Sequence, residues 1–133
     1  AGSGALGLEA LSRGAKKAIF VESSRKQIST LKQNIELFSL EQTTFELIQD
    51  RATHWISRFA DPEIPCITFL DPPFSGNEYD LILEKLAFLP AIRRGSIIVV
   101  ESPNERKIVF PENMELLKHR RYGTVTLDIL RKC

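Results

Sequence analysis

Short apolar segments alternate with amphipathic helical patterns along most of this chain. Strands are predicted at about 17–22, 44–48, 66–70 and 96–101. Helices are predicted at about 5–13, 52–59 and 77–89. A further helix begins after Ser23 or Ser24, either of which can cap it, and one of its faces carries Ile28, Leu31, Ile35 and Phe38. Strands that alternate with helices form mainly parallel sheets. We therefore predict an α/β sandwich with a mainly parallel sheet.

The C-terminal tail has a different pattern. Residues 116–123 and 124–130 read as two strands around Gly123, and Ser102-Pro103-Asn104 is expected to end the strand before them. In the second strand of the tail, apolar residues alternate with polar ones, which is typical of an antiparallel strand with one exposed face. These apolar residues are Val125, Leu127 and Ile129.

The size and charge of the chain limit its class. With 133 residues, 43% of them hydrophobic, residues 1–133 are expected to form one domain. A formal charge of +1 does not indicate a globally basic nucleic-acid binder. Local basic clusters remain, at Arg93 and Arg94 and at Lys118, Arg120 and Arg121. Such clusters either form a solvent-exposed surface or contact phosphate groups of a nucleic acid.

Other composition signals are weak. No segment has the roughly 18 consecutive apolar residues of a membrane span, and no signal peptide is seen. Cys66 and Cys133 lie far apart, so neither a disulfide nor a metal site is predicted, which fits a cytoplasmic protein. His54 and His119 are interpreted as structural or surface residues.

The chain opens on a glycine-rich turn that leads into a helix. Gly2, Gly4 and Gly7 have the spacing of a dinucleotide-binding loop, but no strand precedes them here. Glycine lets a backbone approach a ligand closely, and the helix that follows offers free amide donors. A plain strand-to-helix turn is the alternative.

Two carboxylates follow predicted strands. Glu22 lies about 20 residues after the glycines, where an acidic residue accepts hydrogen bonds from a ribose diol; a surface carboxylate is the alternative. Asp50 either accepts from an adenine amino group or caps the helix that begins near residue 51. Ligands bind at the carboxyl ends of strands in such sheets, so we expect these segments and Asp71 to meet at one rim.

The segment Asp71-Pro72-Pro73-Phe74 carries the strongest chemical signal. An aromatic amine is a poor nucleophile, because its lone pair is delocalised into the ring. The Asp71 carboxylate and the Pro72 carbonyl can accept its two N–H hydrogens and stabilise the developing charge. Pro73 makes this geometry rigid, and Phe74 offers a flat face for a flipped base. An ordinary proline turn is the alternative, and Tyr79 is either a core residue or lies near the base.

In these residues the chain resembles class I S-adenosylmethionine-dependent methyltransferases that modify a nucleobase amine. It is most similar to the RsmD type, which methylates guanine N2 in 16S ribosomal RNA. The stretch Ala1–Ala15, Val21-Glu22, Asp50-Arg51-Ala52 and Asp71–Phe74 carry the resemblance, which covers essentially all 133 residues.

The resemblance implies a Rossmann-like fold and a role for each matched residue. The cofactor S-adenosylmethionine would be bound by Ala1, Gly2, Ser3, Gly4, Glu22, Ser23, Asp50, Arg51, Ala52 and Asp71. The catalytic residues would be Asp71, Pro72, Pro73 and Phe74, with no metal. The partner would be 16S rRNA or a small-subunit assembly particle, and the protein would be a cytoplasmic monomer.

The family also has a central first strand and an N-terminal region that are absent from this sequence, so we expect an N-terminal segment to be missing. Two other functions stay open. One is methylation of DNA adenine N6 or another RNA base. The other is a non-catalytic module with this fold that binds RNA or assists ribosome assembly.

Overall fold

The computed structural model describes residues 1–60, 65–72 and 77–133. These residues form two compact units, Ala1–Trp55 and Ile56–Cys133. Each unit contains a sheet of its own, with two strands in the first unit and four in the second. The single domain expected over residues 1–133 stays a prediction. No helix among the described residues is long and apolar enough to cross a membrane.

The first unit is a parallel strand pair with helices along it. Its elements are α1 (Ala5–Ser12), β1 (Ala18–Glu22), α2 (Arg25–Leu37), β2 (Phe45–Gln49) and α3 (Ala52–Trp55). Strands β1 and β2 pair in parallel, from Ala18 opposite Phe45 to Glu22 opposite Gln49. Both strands therefore end at the same edge, which is where a ligand site is expected.

Ser24 decides where α2 begins, because its hydroxyl accepts a hydrogen bond from the Gln27 amide at 3.4 Å. The predicted apolar face of α2 is buried at three of its four positions. Phe38 was wrongly assigned to that face: it follows the last helical residue and is exposed. The core of the unit consists of Leu8, Ala18, Phe20, Leu31 and Ile35.

The second unit is a mixed sheet with one long helix. Its elements are a 3-10 turn (Ile56–Arg58), β3 (Ile67–Leu70), α4 (Glu78–Phe88), β4 (Ile97–Pro103), β5 (Met114–Tyr122) and β6 (Val125–Lys132). The strand order is β3-β4-β6-β5. Strands β3 and β4 are parallel, whereas β4–β6 and β6–β5 are antiparallel, so the predicted C-terminal hairpin is present.

Strand β4 runs further than predicted. It continues through Ser102 to Pro103, which lies opposite Val125. On its other side, β4 pairs with β3 only as far as Val100. A proline is tolerated at such a strand end because no ladder hydrogen bond is required from its nitrogen there.

The burial pattern of β6 is the reverse of the prediction. Val125, Leu127 and Ile129 are only half-buried, and the intervening face is buried. That face carries polar groups with partners: Thr126 donates to Asn104 at 2.8 Å, and Asp128 contacts His119 at 2.6 Å. The physical reason is that the end of α4 lies on this face of β6: Lys132 Nζ donates to the Leu86 and Leu89 carbonyls at 3.3 and 2.9 Å. Polar side chains on the covered face are then buried together with their hydrogen-bond partners.

Candidate functional site

The glycine loop is held in place by a hydrogen bond within the loop and by another from α2. The Gly4 amide donates to the Ala1 carbonyl at 3.0 Å, and Asn34 of α2 donates to the Ser3 carbonyl at 2.8 Å. Gly2 and Gly4 have positive φ angles of 57° and 80°. Apart from Gly2 and its two chain neighbours, no described residue has an atom within 4 Å of where a Cβ of Gly2 would be, so this part of the loop is open to a ligand.

Two of the glycines are required by packing. A Cβ at Gly4 would lie 2.1 Å from Leu31 Cδ1, and one at Gly7 would lie 2.3 Å from Phe20 Cε1. Both partners belong to the core of the first unit. The glycine spacing thus lets α1 and its loop lie directly on β1 and α2, which is the close helix–strand packing of dinucleotide-binding loops.

Glu22 ties the end of β1 to this loop. Its Oε1 accepts from the Gly2 amide at 2.9 Å and its Oε2 from the Ser24 amide at 2.9 Å. The Ala1 amino nitrogen lies 3.2 Å from Oε1. Burial acts to raise the pKa of Glu22, whereas the backbone hydrogen bonds from Ser24 and Gly2 act to lower it, and the pKa lies below its ordinary value. The carboxylate is therefore ionised and keeps lone pairs for further donors.

Asp50 lies beside Glu22 at the end of β2. The Asp50 amide donates to the Glu22 carbonyl at 3.1 Å, which joins the two strand ends. The Asp50 carboxylate accepts from the Arg51 amide at 2.8 Å and contacts His54 Nδ1 at 2.9 Å. His54 is thus a surface residue, as expected, but it has an acidic partner that the sequence interpretation missed. Its spacing of four residues on a helix could have revealed the pair.

The structure therefore brings together all the predicted cofactor residues of the first unit. Ser23 is exposed directly after Glu22, and Arg51 and Ala52 are exposed where α3 begins. Glu22 and Asp50 present two carboxylates and the glycine loop presents its backbone. Carboxylates beside a glycine loop can accept hydrogen bonds from the hydroxyl and amino groups of a nucleoside.

In the second unit, Asp71 and Pro72 follow the last residue of β3. Asp71 is exposed and Pro72 is buried. The expected end of the strand before the two prolines is confirmed. The predicted residues Pro73 and Phe74 lie outside the described residues. That the segments of both units meet at one rim stays a prediction.

Tyr79 anchors the backbone around Pro72. It is 1% exposed, as expected of a core residue. Its hydroxyl lies 2.8 Å from the Glu101 carbonyl at the end of β4 and 3.5 Å from the Pro72 carbonyl. The hydroxyl therefore donates to Glu101 and lies next to the carbonyl that the sequence singled out. This polar role was missed, because a tyrosine on an apolar helix face looks like any other core residue.

The surroundings of Tyr79, above all its burial, keep its hydroxyl protonated. Burial raises its pKa, as does the negative charge of Asp71, while Arg106 acts in the opposite direction. The Arg106 guanidinium carbon lies 4.7 Å from the centroid of the Tyr79 ring, within cation–π range. The contribution of Arg106 has no signal in the sequence.

Comparison with known proteins identifies the family. The family model described as Conserved hypothetical protein 95 matches residues 1–131. The chain belongs to this family.

Relatives of this family carry informative names. Ribosomal RNA small subunit methyltransferase D of Haemophilus influenzae is 32% identical over 126 residues, which are 95% of this chain and 65% of that protein. The protein of the same name from Escherichia coli K12 is 30% identical and aligns with 99% of this chain and 65% of its own length. The chain thus spans just under two thirds of the length of these relatives.

A solved structure has the same fold. The crystal structure of the candidate methylase HI0767 from Haemophilus influenzae is 30% identical, with a TM-score of 0.84 over 98% of this chain and 81% of that one. The RsmD-type resemblance and the predicted Rossmann-like methyltransferase fold are therefore confirmed. The family model, which matches residues 1–131, covers the glycine loop, Glu22, Asp50 and Asp71.

Proposed function

We propose that this chain is the catalytic part of an S-adenosylmethionine-dependent enzyme that methylates the exocyclic N2 amine of a guanine in 16S rRNA. The observation that carries the proposal is the family match over residues 1–131, with relatives named for small-subunit rRNA methylation. The assignment of guanine N2 rests on the RsmD-type motifs. A cytoplasmic monomer without a metal, acting on RNA or on an assembling small subunit, completes the proposal.

The residues of the first unit fit the cofactor. Open space beside Gly2 leaves room for a ligand along the loop backbone. Glu22 Oε1 accepts from the Gly2 amide and the Ala1 nitrogen, whereas Oε2 accepts only from the Ser24 amide and so retains capacity for a ribose hydroxyl. Ala1, Ser3, Gly4, Ser23 and the segment 50–52 line the same edge. S-adenosylmethionine, when bound, supplies an electrophilic methyl group on a sulfonium.

The residues of the second unit fit an amine. The Asp71 carboxylate accepts one N–H of the guanine amino group, and the Pro72 carbonyl accepts the other. These two hydrogen bonds draw the nitrogen lone pair out of conjugation with the ring. The nitrogen would gain the methyl group as the bond between that methyl and the cofactor's sulfonium sulfur breaks to leave a thioether, and would lose one proton to Asp71 or to water. Pro73 would stiffen the backbone and Phe74 would stack on the base.

Tyr79 supports this arrangement as a positioning residue. Its hydroxyl fixes the Glu101 carbonyl and lies against the Pro72 carbonyl, so the backbone around the amine acceptor is braced from the helix side. Positioning an acceptor before the substrate arrives lowers the cost of reaching the reactive geometry. Asp71 is exposed, so a nucleobase of the RNA can reach its carboxylate.

The test is transfer of labelled methyl groups from S-adenosylmethionine to small-subunit RNA and to small-subunit particles, followed by nucleoside analysis. We expect labelled N2-methylguanosine. Asp71→Asn should reduce the rate by at least 100-fold, which is about 2.7 kcal/mol of barrier. Glu84→Gln removes one negative charge from the exposed side of α4 and serves as the matched control.

Three results would contradict parts of the proposal. Label in another nucleoside would overturn the guanine assignment. An Asp71→Asn variant that keeps most of the wild-type rate would overturn the role of Asp71. A full-length protein that shows no affinity for S-adenosylmethionine by calorimetry would overturn the methyltransferase function itself.

A further inference from the structure

Strand β5 forms the outer edge of the sheet in the second unit. It pairs with β6 on one side, and in the described part of the chain it has no strand on the other. Every residue of β5 after Met114 is exposed. Its side chains are therefore available to a partner.

A β-bulge places Lys118 and Arg120 of β5 on the half-buried face of the hairpin and not on its buried face. Leu116 pairs with Leu130 and Lys118 pairs with Ile129, so Leu117 is an extra residue in β5. Without it, Lys118 would share a face with the fully buried Leu130. Bulges commonly re-aim side chains in this way.

The shifted register aligns three exposed side chains on the half-buried face of the hairpin. Lys118, Arg120 and Tyr122 lie opposite Ile129, Leu127 and Val125 of β6. We call these three residues of β5 the basic stripe. Neighbours within the stripe are about 6.6 Å apart, because a strand advances by about 3.3 Å per residue.

The stripe carries positive charge that no acidic side chain in the described part of the chain neutralises. The two acidic residues of the hairpin have other partners: Glu115 pairs with Arg131 at 2.5 Å, and Asp128 with His119 at 2.6 Å. Among the described residues, no ion pair is found for Lys118 or Arg120. Arg120 donates only to the backbone carbonyl of His119, at 2.9 Å.

Tyr122 adds an aromatic surface in line with these charges. Its side chain is 60% exposed at the end of β5, beside the turn at Gly123. Cations that follow a phosphate backbone, next to an aromatic ring on which a base stacks, are the combination by which proteins bind single-stranded nucleic acid. An acidic protein would match the same charges, and tyrosine is also common in protein interfaces, so the choice of RNA follows from the proposed function.

We propose that the basic stripe binds a single-stranded segment of the RNA substrate. The proposal rests on the proposed function for the choice of RNA. It goes further by assigning a contact surface that is separate from the residues at the end of β3.

The test measures RNA affinity apart from catalysis. A fluorescein-labelled single-stranded fragment of small-subunit rRNA is titrated with the full-length protein at several salt concentrations, and binding is followed by anisotropy. The variant Lys118→Gln/Arg120→Gln should bind more weakly, and the slope of log K against log salt should fall by about 1.4, at about 0.7 for each lost phosphate contact. Lys26→Gln/Lys32→Gln removes the same charge from exposed positions of α2 and should leave the slope unchanged.

Tyr122 provides a second measurement. Tyr122→Ala should weaken binding by about tenfold with an unchanged salt slope, and Tyr122→Phe should restore the affinity because it keeps the ring. All substituted side chains are exposed, so circular dichroism should show wild-type folding.

The outcomes separate this proposal from the proposed function. If the wild type methylates guanine but the stripe variants have the same RNA affinity and salt slope as the α2 control variant, the stripe is not an RNA-binding surface. If the stripe variants lose RNA affinity while no methyl transfer is found, the surface stands and the enzymatic function falls. Loss of binding to a ribosomal protein with unchanged RNA affinity would make the stripe a protein contact and overturn the proposal.

Discussion

Replacing Gly7 with alanine sets two opposite effects against each other. Gly7 lies inside α1, where alanine is favoured over glycine by about 1 kcal/mol. The new methyl group, however, would lie 2.3 Å from Cε1 and 2.8 Å from Cζ of Phe20. These distances are well below van der Waals contact, so the ring or the helix must move.

The Phe20 ring has little room to move. It is 3% exposed and belongs to the core cluster with Leu8 and Leu31. Its Cε1 atom also lies 3.3 Å from where a Cβ of Gly4 would be, so the loop borders it on that side too. Overpacking of such a core costs about 1–3 kcal/mol, and we place this site at the upper end. The net prediction for Gly7→Ala is a loss of about 2 kcal/mol in the free energy of unfolding.

Urea unfolding measures this loss. The chain has one tryptophan, Trp55, which belongs to the same unit as Gly7, so its fluorescence follows that unit. Phe20→Leu serves as the partner in a double-mutant cycle. If the ring is the obstacle, Gly7→Ala should cost at least 1 kcal/mol less in the Phe20→Leu background. A Gly7→Ala protein as stable as the wild type would refute the packing argument.

Three further outcomes are expected. Glu22→Gln should weaken S-adenosylmethionine binding by at least tenfold in calorimetry. The folded protein lowers the pKa of Glu22 from the ordinary value of 4.5, so the unfolded chain binds more protons in acid. The free energy of unfolding of the wild type should therefore fall as the pH drops below 4.5. This fall should be smaller in Glu22→Gln. Tyr79→Phe leaves the Glu101 carbonyl without its donor and should lower the free energy of unfolding by about 1 kcal/mol. It should also reduce kcat with little change in KM for the cofactor. An unchanged kcat would contradict the positioning role. Asp128→Asn removes a buried charge from its contact with His119, and should lower the free energy of unfolding measured in urea by about 2 kcal/mol. The same substitution should cost less in a protein that already carries His119→Gln.

Local patterns predicted the elements and the residues at the strand ends well. The helices and strands follow from the spacing of apolar residues, and this spacing is set by short-range geometry. Glu22 and Asp50 could be selected because each directly follows an apolar strand. The structure confirms that they lie side by side at the ends of a parallel pair.

Features that depend on pairing between distant residues could not be predicted. The bulge at Leu117 decides which face Lys118 occupies, yet it is visible only in the register with β6. The burial of Asp128 likewise depends on a contact between distant residues, because its face of β6 is the one on which the end of α4 lies. Alternation alone indicated the wrong face, because it does not show which side of a strand the rest of the protein covers.

The amino-acid sequence by itself therefore determined the α/β class, the positions of the strand ends and the residue types available there, since each depends on a few neighbouring residues. Only the tertiary structure decided that Gly7 lies on Phe20, that the Tyr79 hydroxyl braces the backbone at Pro72, and that the bulge places Lys118 on the half-buried face of the hairpin. These contacts join residues far apart in the chain, and packing and strand register place them together.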